Sequence, residues 1–141
     1  MIWKLTPECW WADQFTGNDQ LDGAKAIIAV ADNLDIDPNR YDVPFFRFPI
    51  EDDSHIDPRM ISLVFTAMRS CVECFCAPFL LMCRAGQSRS PSFAALWLSW
   101  SKGCSYQEAM KRIRELRTET FPHEKTWRQL EQWSIEHVGQ Y

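Results

Sequence analysis

An apolar run, Pro78-Phe79-Leu80-Leu81-Met82, ends on Cys83; Arg84, Ala85, Gly86, Gln87 and Ser88 follow, and then Arg89, Ser90 and Pro91. A thiol and a guanidinium at this spacing meet only if the chain turns sharply between them. The pattern is that of a buried strand, a tight turn that Gly86 allows, and a helix N-terminus. Successive backbone N–H groups in such a turn converge on one anion, and the helix dipole adds positive potential there. A cysteine at the base of that nest ionises readily, because the same field stabilises its thiolate. Arg89 supplies a planar fork that grips two oxygens at once. The segment therefore reads as an anion cradle with a nucleophile at its floor.

The rest of the chain must position that cradle. Residues 1–22 have no clear period; Ile2-Trp3-Lys4-Leu5 fits a short edge strand, and Trp10 and Trp11 fit packing. Asp22-Gly23 marks a turn. Ala26-Ile27-Ile28-Ala29-Val30-Ala31 predicts a buried parallel strand. Asp32-Asn33 and Asp37-Pro38-Asn39 predict loops, and Val43 to Ile50 a strand broken at its edges by prolines. Asp57-Pro58 opens a helix that the spacing of Met60, Leu63, Val64, Ala67 and Met68 carries to about Ser70. Pro78 to Met82 is the next strand. Ser90 is read as the cap of an almost wholly apolar helix that Gly103 closes. Ser105 to Glu108 forms a capping box for another helix, with Ala109, Ile113 and Leu116 inward. A last amphipathic helix runs from about His123 to His137, with Trp127, Leu130 and Trp133 on its apolar side. Strands alternating with helices predict an α/β domain: a central, mainly parallel sheet flanked by helices, with a helix-rich C-terminal half.

Cys83-Arg84-Ala85-Gly86-Gln87-Ser88-Arg89-Ser90 resembles the signature of the cysteine-based protein tyrosine phosphatases. Its Ala-Gly-x-Ser-Arg-Ser form resembles the dual-specificity branch, and the order of elements over residues 25–135 resembles the small phosphatase fold. The resemblance implies a catalytic domain spanning residues 1–141. Cys83 is then the nucleophile that forms a phosphocysteine. The amides of Arg84 through Arg89 and the Arg89 side chain hold the transferred oxygens, and Ser90 hydrogen-bonds the Cys83 sulfur. The acid is expected on the loop Glu51-Asp52-Asp53-Ser54-His55-Ile56-Asp57. Phe48-Pro49-Ile50-Glu51-Asp52 resembles the family's strand-then-aspartate segment, which points to Asp52, with Asp53 next and Glu51 and Asp57 behind. None of the histidines, His55, His123 and His137, is assigned a catalytic role. The arginine and the amides supply the positive charge, so no metal and no cofactor are called for. The chain departs from the family at Met82, where histidine is usual. Met82 cannot donate hydrogen bonds to the loop, so a less readily ionised nucleophile is expected.

The expected substrate is a phosphorylated protein or peptide, with phosphotyrosine, phosphoserine and phosphothreonine as candidates. The loop carries a single basic side chain beside Arg89, namely Arg84. Phosphoinositide-cleaving relatives typically carry more, so a polyphosphorylated lipid is disfavoured. The alternatives are a catalytically weak phosphopeptide-binding module, an RNA 5′-phosphatase, a phosphoinositide phosphatase, and a sulfurtransferase or arsenate reductase with the same cysteine–arginine spacing. Arg112, Arg114 and Arg117 are read as a solvated face or a patch near the phosphosubstrate. The net charge of −4 argues against broad electrostatic binding of nucleic acid or anionic membranes. No segment is long and apolar enough to span a bilayer. The N-terminal residues lack a signal-peptide layout, and the cysteines, Cys9, Cys71, Cys74, Cys76, Cys83 and Cys104, suit a reducing compartment, so a cytoplasmic location is expected. Cys71, Cys74 and Cys76 read as fillers near a helix end, with reversible pairing to Cys83 under oxidation as a sharper option.

Overall fold

The computed structural model describes residues 1–138. Its strands are β1 (Ile2–Lys4), β2 (Cys9–Ala12), β3 (Ala26–Ala29), β4 (Phe45–Arg47) and β5 (Phe79–Met82). Its helices are α1 (Pro58–Glu73), α2 (Arg89–Lys102), α3 (Tyr106–Leu116) and α4 (Glu124–His137). The strands form one sheet in the order β1-β2-β5-β3-β4. The β1–β2 pair is antiparallel, and every other pair is parallel.

The centre of the sheet goes to the strands without a polar face. Every residue of β2, β3 and β5 is buried, as expected of strands covered on both sides. Phe79 and Leu81 of β5 join Trp11, Ile28 and residues of all four helices in one apolar cluster. Leu80 and Met82 alternate to the other face, where Trp10, Ala12, Ile27, Leu21 and Ala24 cover them. The helices thus share one face, and loop segments close the other. Strand β2 lies within residues 1–22, which carry no period in the sequence. Its Cys-Trp-Trp-Ala run is apolar throughout, so neither the twofold nor the 3.6-residue pattern marks it.

Helix α1 starts where Asp57 and Pro58 predict, with the Asp57 carboxylate accepting from the Arg59 amide, and runs to Glu73. Helix α2 is buried from Arg89 to Ser99, and Gly103 ends it in the left-handed region at φ 65°. The reading of Ser90 as the α2 cap is corrected: Ser88 occupies the cap position, and Ser90 lies inside the first turn. Ser105 accepts from the Glu108 amide at the start of α3. Helix α4 begins at Glu124, with His123 as its cap residue. Among the described residues no helix is long and apolar enough to cross a membrane.

This topology sets the cradle. Cys83 follows β5 directly at its carboxyl end, between the ends of β2 and β3. The ladder continues past the strand ends: the Val30 amide donates to Met82 O (2.8 Å), and the Cys83 amide donates to Ala12 O (3.3 Å). The crevice outside the carboxyl ends of parallel strands is where open α/β sheets bind ligands. Leu81 is fully buried in the central strand. Leu81→Ala is therefore expected to cost about 2–5 kcal/mol in a urea or thermal unfolding measurement.

Candidate active site

Each peptide carbonyl from Arg84 to Ser88 is held from outside the turn. Arg84 O accepts from the Gln14 amide (3.2 Å), Gln87 O from the Phe121 amide (3.0 Å), and Ser88 O from the Ser92 amide (3.0 Å). Ala85 O accepts from Arg117 Nη1 (3.4 Å). Gly86 O accepts from Trp11 Nε1 (3.1 Å) and from Arg117 Nη1. The amide N–H groups of Arg84 through Arg89 donate to no acceptor among the described residues. The turn sorts its polar groups, carbonyls anchored to the scaffold and amides unspent, which is the form of a nest for an anion. Gly86 holds φ +66°, and a Cβ there would meet Trp3 Cζ3 at 3.0 Å and the backbone of Ala12 at 3.2 Å. The turn therefore needs glycine both for its conformation and for space.

Arg89 is buried at the first helical position of α2. Its Nη1 donates to Ile50 O (2.8 Å) and to the Asp32 carboxylate (3.1 Å). Its Nη2 donates to Asn33 Oδ1 (2.8 Å). Both Nη1 protons are thus spent. Nε is buried with no hydrogen-bond partner, and Nη2 keeps a second proton. Nε and Nη2 share one edge of the guanidinium, so the free donors form the fork that grips a tetrahedral oxyanion bidentately. An unpaired buried N–H costs about 1–3 kcal/mol, a cost that an incoming oxyanion would remove.

Cys83 is buried, and its Sγ lies 3.1 Å from Ser90 Oγ. Met82 is also fully buried, among Leu80, Ala12, Ile27 and Trp10 on the face away from the helices.

The acidic loop sorts its carboxylates by partner. Asp52 Oδ1 accepts from Ser88 Oγ of the turn (2.9 Å) and from Thr126 Oγ1 of α4 (2.7 Å). Its Oδ2 lies 3.6 Å from His123 Nε2. Asp53 is exposed at φ 53°, and its amide donates to Thr126 Oγ1 (3.0 Å). Glu51 is exposed. Asp57 is engaged with the Arg59 side chain and amide, which hold its carboxyl down to about 2, so it stays an ionised helix cap. Among these carboxylates, Asp52 is the one bonded to the turn. Gln129 straps the loop to α4, accepting from the Ile56 amide (2.7 Å) and donating to Ser54 O (2.7 Å).

Several residues at the site carry no signal of their own in the sequence. Asp32 and Asn33 read as loop, yet they hold Arg89. His123 has no role assigned, yet its amide donates to Ser88 Oγ (2.9 Å) and its ring faces Asp52. Of the three arginines on or beyond α3, Arg112 and Arg114 are exposed, while Arg117 is half-buried behind the turn. Arg84 points to Asn33 O (3.0 Å) and toward Asp35 (3.8 Å). Of the α1-end cysteines, Cys71 is buried, whereas Cys74 is exposed and is no filler.

The family model described as the catalytic domain of dual specificity phosphatases matches residues 18–136. No curated protein matches the chain. The solved structure of human DUSP28 superposes with a TM-score of 0.81 at 22% identity, over 94% of this chain and 91% of that one. That of a mouse putative dual specificity phosphatase complexed with zinc tungstate gives 0.81 at 20% identity, over 95% and 89%. The human tyrosine phosphatase-like serine/threonine/tyrosine-interacting protein gives 0.80 at 17% identity, over 98% of each chain. At these identities the likeness to the structures is one of fold.

Removing the Asn33 amide should loosen the Arg89 fork without touching the turn itself. Asn33→Ala is expected to weaken binding of inorganic phosphate by about tenfold in a calorimetric titration, the scale of one charge-assisted hydrogen bond. Unchanged affinity would show that the fork is held without Asn33.

Proposed function

Because the chain belongs to the family of dual specificity phosphatase catalytic domains, we propose that it is a protein phosphatase that hydrolyses phosphotyrosine, and with it phosphoserine and phosphothreonine, through a phosphocysteine on Cys83. The observation that carries this reading is the polar sorting of the turn: free amides and an unpaired buried Arg89 Nε surround the Cys83 thiol. A phosphoryl group offers three equatorial oxygens for those donors to hold.

In the first step the Cys83 thiolate attacks phosphorus in line. The S–P bond forms as the bond to the ester oxygen breaks, and Asp52 gives its proton to that oxygen. The Oδ1 atom already accepts two hydrogen bonds, so Oδ2 carries the proton. In the second step water attacks phosphorus, the Asp52 carboxylate takes its proton, and the S–P bond breaks. Ser90, at 3.1 Å from the sulfur, stabilises the departing thiolate. Arg89 and the amides hold the oxygens throughout, and the reading involves no metal or cofactor.

The substrate is a phosphorylated protein or peptide. Arg84 is turned toward Asn33 and Asp35, which leaves little free positive charge for a polyphosphorylated lipid or an RNA chain. Phe121, 66% exposed and hydrogen-bonded through its amide to Gln87 O, offers an aromatic wall beside the turn. The free thiols support a reducing, cytoplasmic setting for residues 1–141 as a catalytic unit. Met82 favours a second reading, a phosphate-binding module with little turnover, because a thioether buried in the core donates nothing to the turn.

Hydrolysis of a small aryl phosphate separates the readings. Cys83→Ser is expected to abolish turnover. Asp52→Asn is expected to lower kcat by about a hundredfold, within the range for a lost general acid. Full activity in Asp52→Asn would move the acid elsewhere. Tight phosphopeptide binding without turnover by reduced wild type would favour the binding module.

A further inference from the structure

The carbonyls of Ala85 and Gly86 are held by a residue outside the signature. Arg117 follows the last turn of α3, and its Nη1 donates to both Ala85 O and Gly86 O. Its guanidinium carbon Cζ sits over the Trp3 ring, 3.8 Å from the centroid. Trp3 stacks on Trp11 at 5.7 Å, and the Trp11 indole donates to the same Gly86 O. Burial pulls the Arg117 guanidinium below its ordinary value, with Glu119 and Asp13 opposing the shift. A cation, braced on β1 and β2, therefore stands directly behind the cradle.

A peptide unit couples its two ends. The Gly86 carbonyl and the Gln87 N–H belong to one plane, as do the Ala85 carbonyl and the Gly86 N–H. Anchoring each carbonyl outward directs its partner N–H inward. A positive charge on the carbonyl oxygen also draws electron density along the plane and makes the N–H a stronger donor, as in any polarised hydrogen-bond chain. Arginine suits this place because one planar group can reach two carbonyls while lying on an indole face.

We propose that Arg117, braced on Trp3, is a positioning residue of the active site. It aims the Gly86 and Gln87 N–H groups at the transferring phosphoryl group and strengthens them where charge builds in the transition state. The proposal rests on the phosphatase reading and assigns the back of the cradle, which the signature does not contain. The acidic side chains that reach Arg117 are Glu119 and Asp13.

The test compares wild type with Arg117→Met, Arg117→Lys and Trp3→Leu. Readouts are kcat and KM for an aryl phosphate, inhibition by orthovanadate and by inorganic phosphate, and the amide proton shifts of Gly86 and Gln87. Arg117→Met is expected to lower kcat by about tenfold to a hundredfold at nearly constant KM, because the lost stabilisation belongs to the transition state. Vanadate, which mimics the five-coordinate state, should weaken more than phosphate. The Gly86 and Gln87 amide protons should move upfield, and Arg117→Lys should recover part of each effect. A folded Arg117→Met protein with unchanged kcat, vanadate inhibition and amide shifts overturns the proposal. Equal weakening of vanadate and phosphate with unmoved amide shifts also overturns it. If Arg117→Met does not fold, the lysine variant and Trp3→Leu carry the same readouts, with intermediate losses expected and wild-type values contrary. Wild type without turnover would count against the phosphatase reading alone; oxyanion binding and the amide shifts would still decide the role of Arg117.

Discussion

A peptide unit cannot turn its carbonyl and its N–H the same way, and the Cys83–Arg89 turn depends on that constraint. Its carbonyls are tied to Gln14, Arg117, Trp11, Phe121 and Ser92. Those partners come from β2, the segment after it, the α3–α4 connection and α2. The scaffold therefore shapes the anion site by what it does on the far side of the turn. A turn with free carbonyls could rotate its planes and offer an oxyanion acceptors instead of donors.

The Arg89 guanidinium obeys the same logic. One edge is fixed by Ile50 O, Asp32 and Asn33 on the loops after β3 and β4. The other edge keeps its donors, and burial withholds water from Nε. Asp52 is presented in turn by Ser88 and Thr126, one from the turn and one from α4. Each candidate chemical group thus has one side spent on the fold and one side left for a substrate. Such preorganisation spares reorganisation at the moment of reaction.

The signature was legible in the sequence because it is local: strand, glycine turn, arginine and helix follow one another within the Cys83–Pro91 stretch. Asp52 is singled out in the sequence through the resemblance of Phe48 to Asp52 to the family's strand-then-aspartate segment, and its contacts to Ser88 and Thr126 leave no sequence signal. The outer partners are distant in the chain. Trp11 and Gly86 are separated by 75 residues, Arg117 and Gly86 by 31, and Arg89 and Asp32 by 57. Periodicity reports a residue's neighbours on its own element, so Arg117 reads as part of a solvated face or of a patch near the substrate, with no sign of its contact to the turn, and Asp32 reads as loop. Strand β2 is hidden because its apolar run, Cys9 to Ala12, is short and closed in by Glu8 and Asp13, whereas the longer apolar runs of β3 and β5 read as buried strands without any alternation. Ser90 fits a cap by its type, yet Ser88 takes the cap position, and the Ser90 hydroxyl lies 3.1 Å from the Cys83 sulfur, the contact that the family resemblance implies.

Covalent catalysis at this site requires that Cys83 become phosphorylated during turnover. Asp52→Asn protein, slowed in hydrolysis, can be mixed with an aryl phosphate whose leaving group needs no acid, quenched rapidly and analysed by mass spectrometry. The expected result is a single phosphate adduct on the peptide that carries Cys83, formed at the rate of aryl alcohol release. Aryl alcohol release without an adduct, or with the phosphate on another residue, would contradict it.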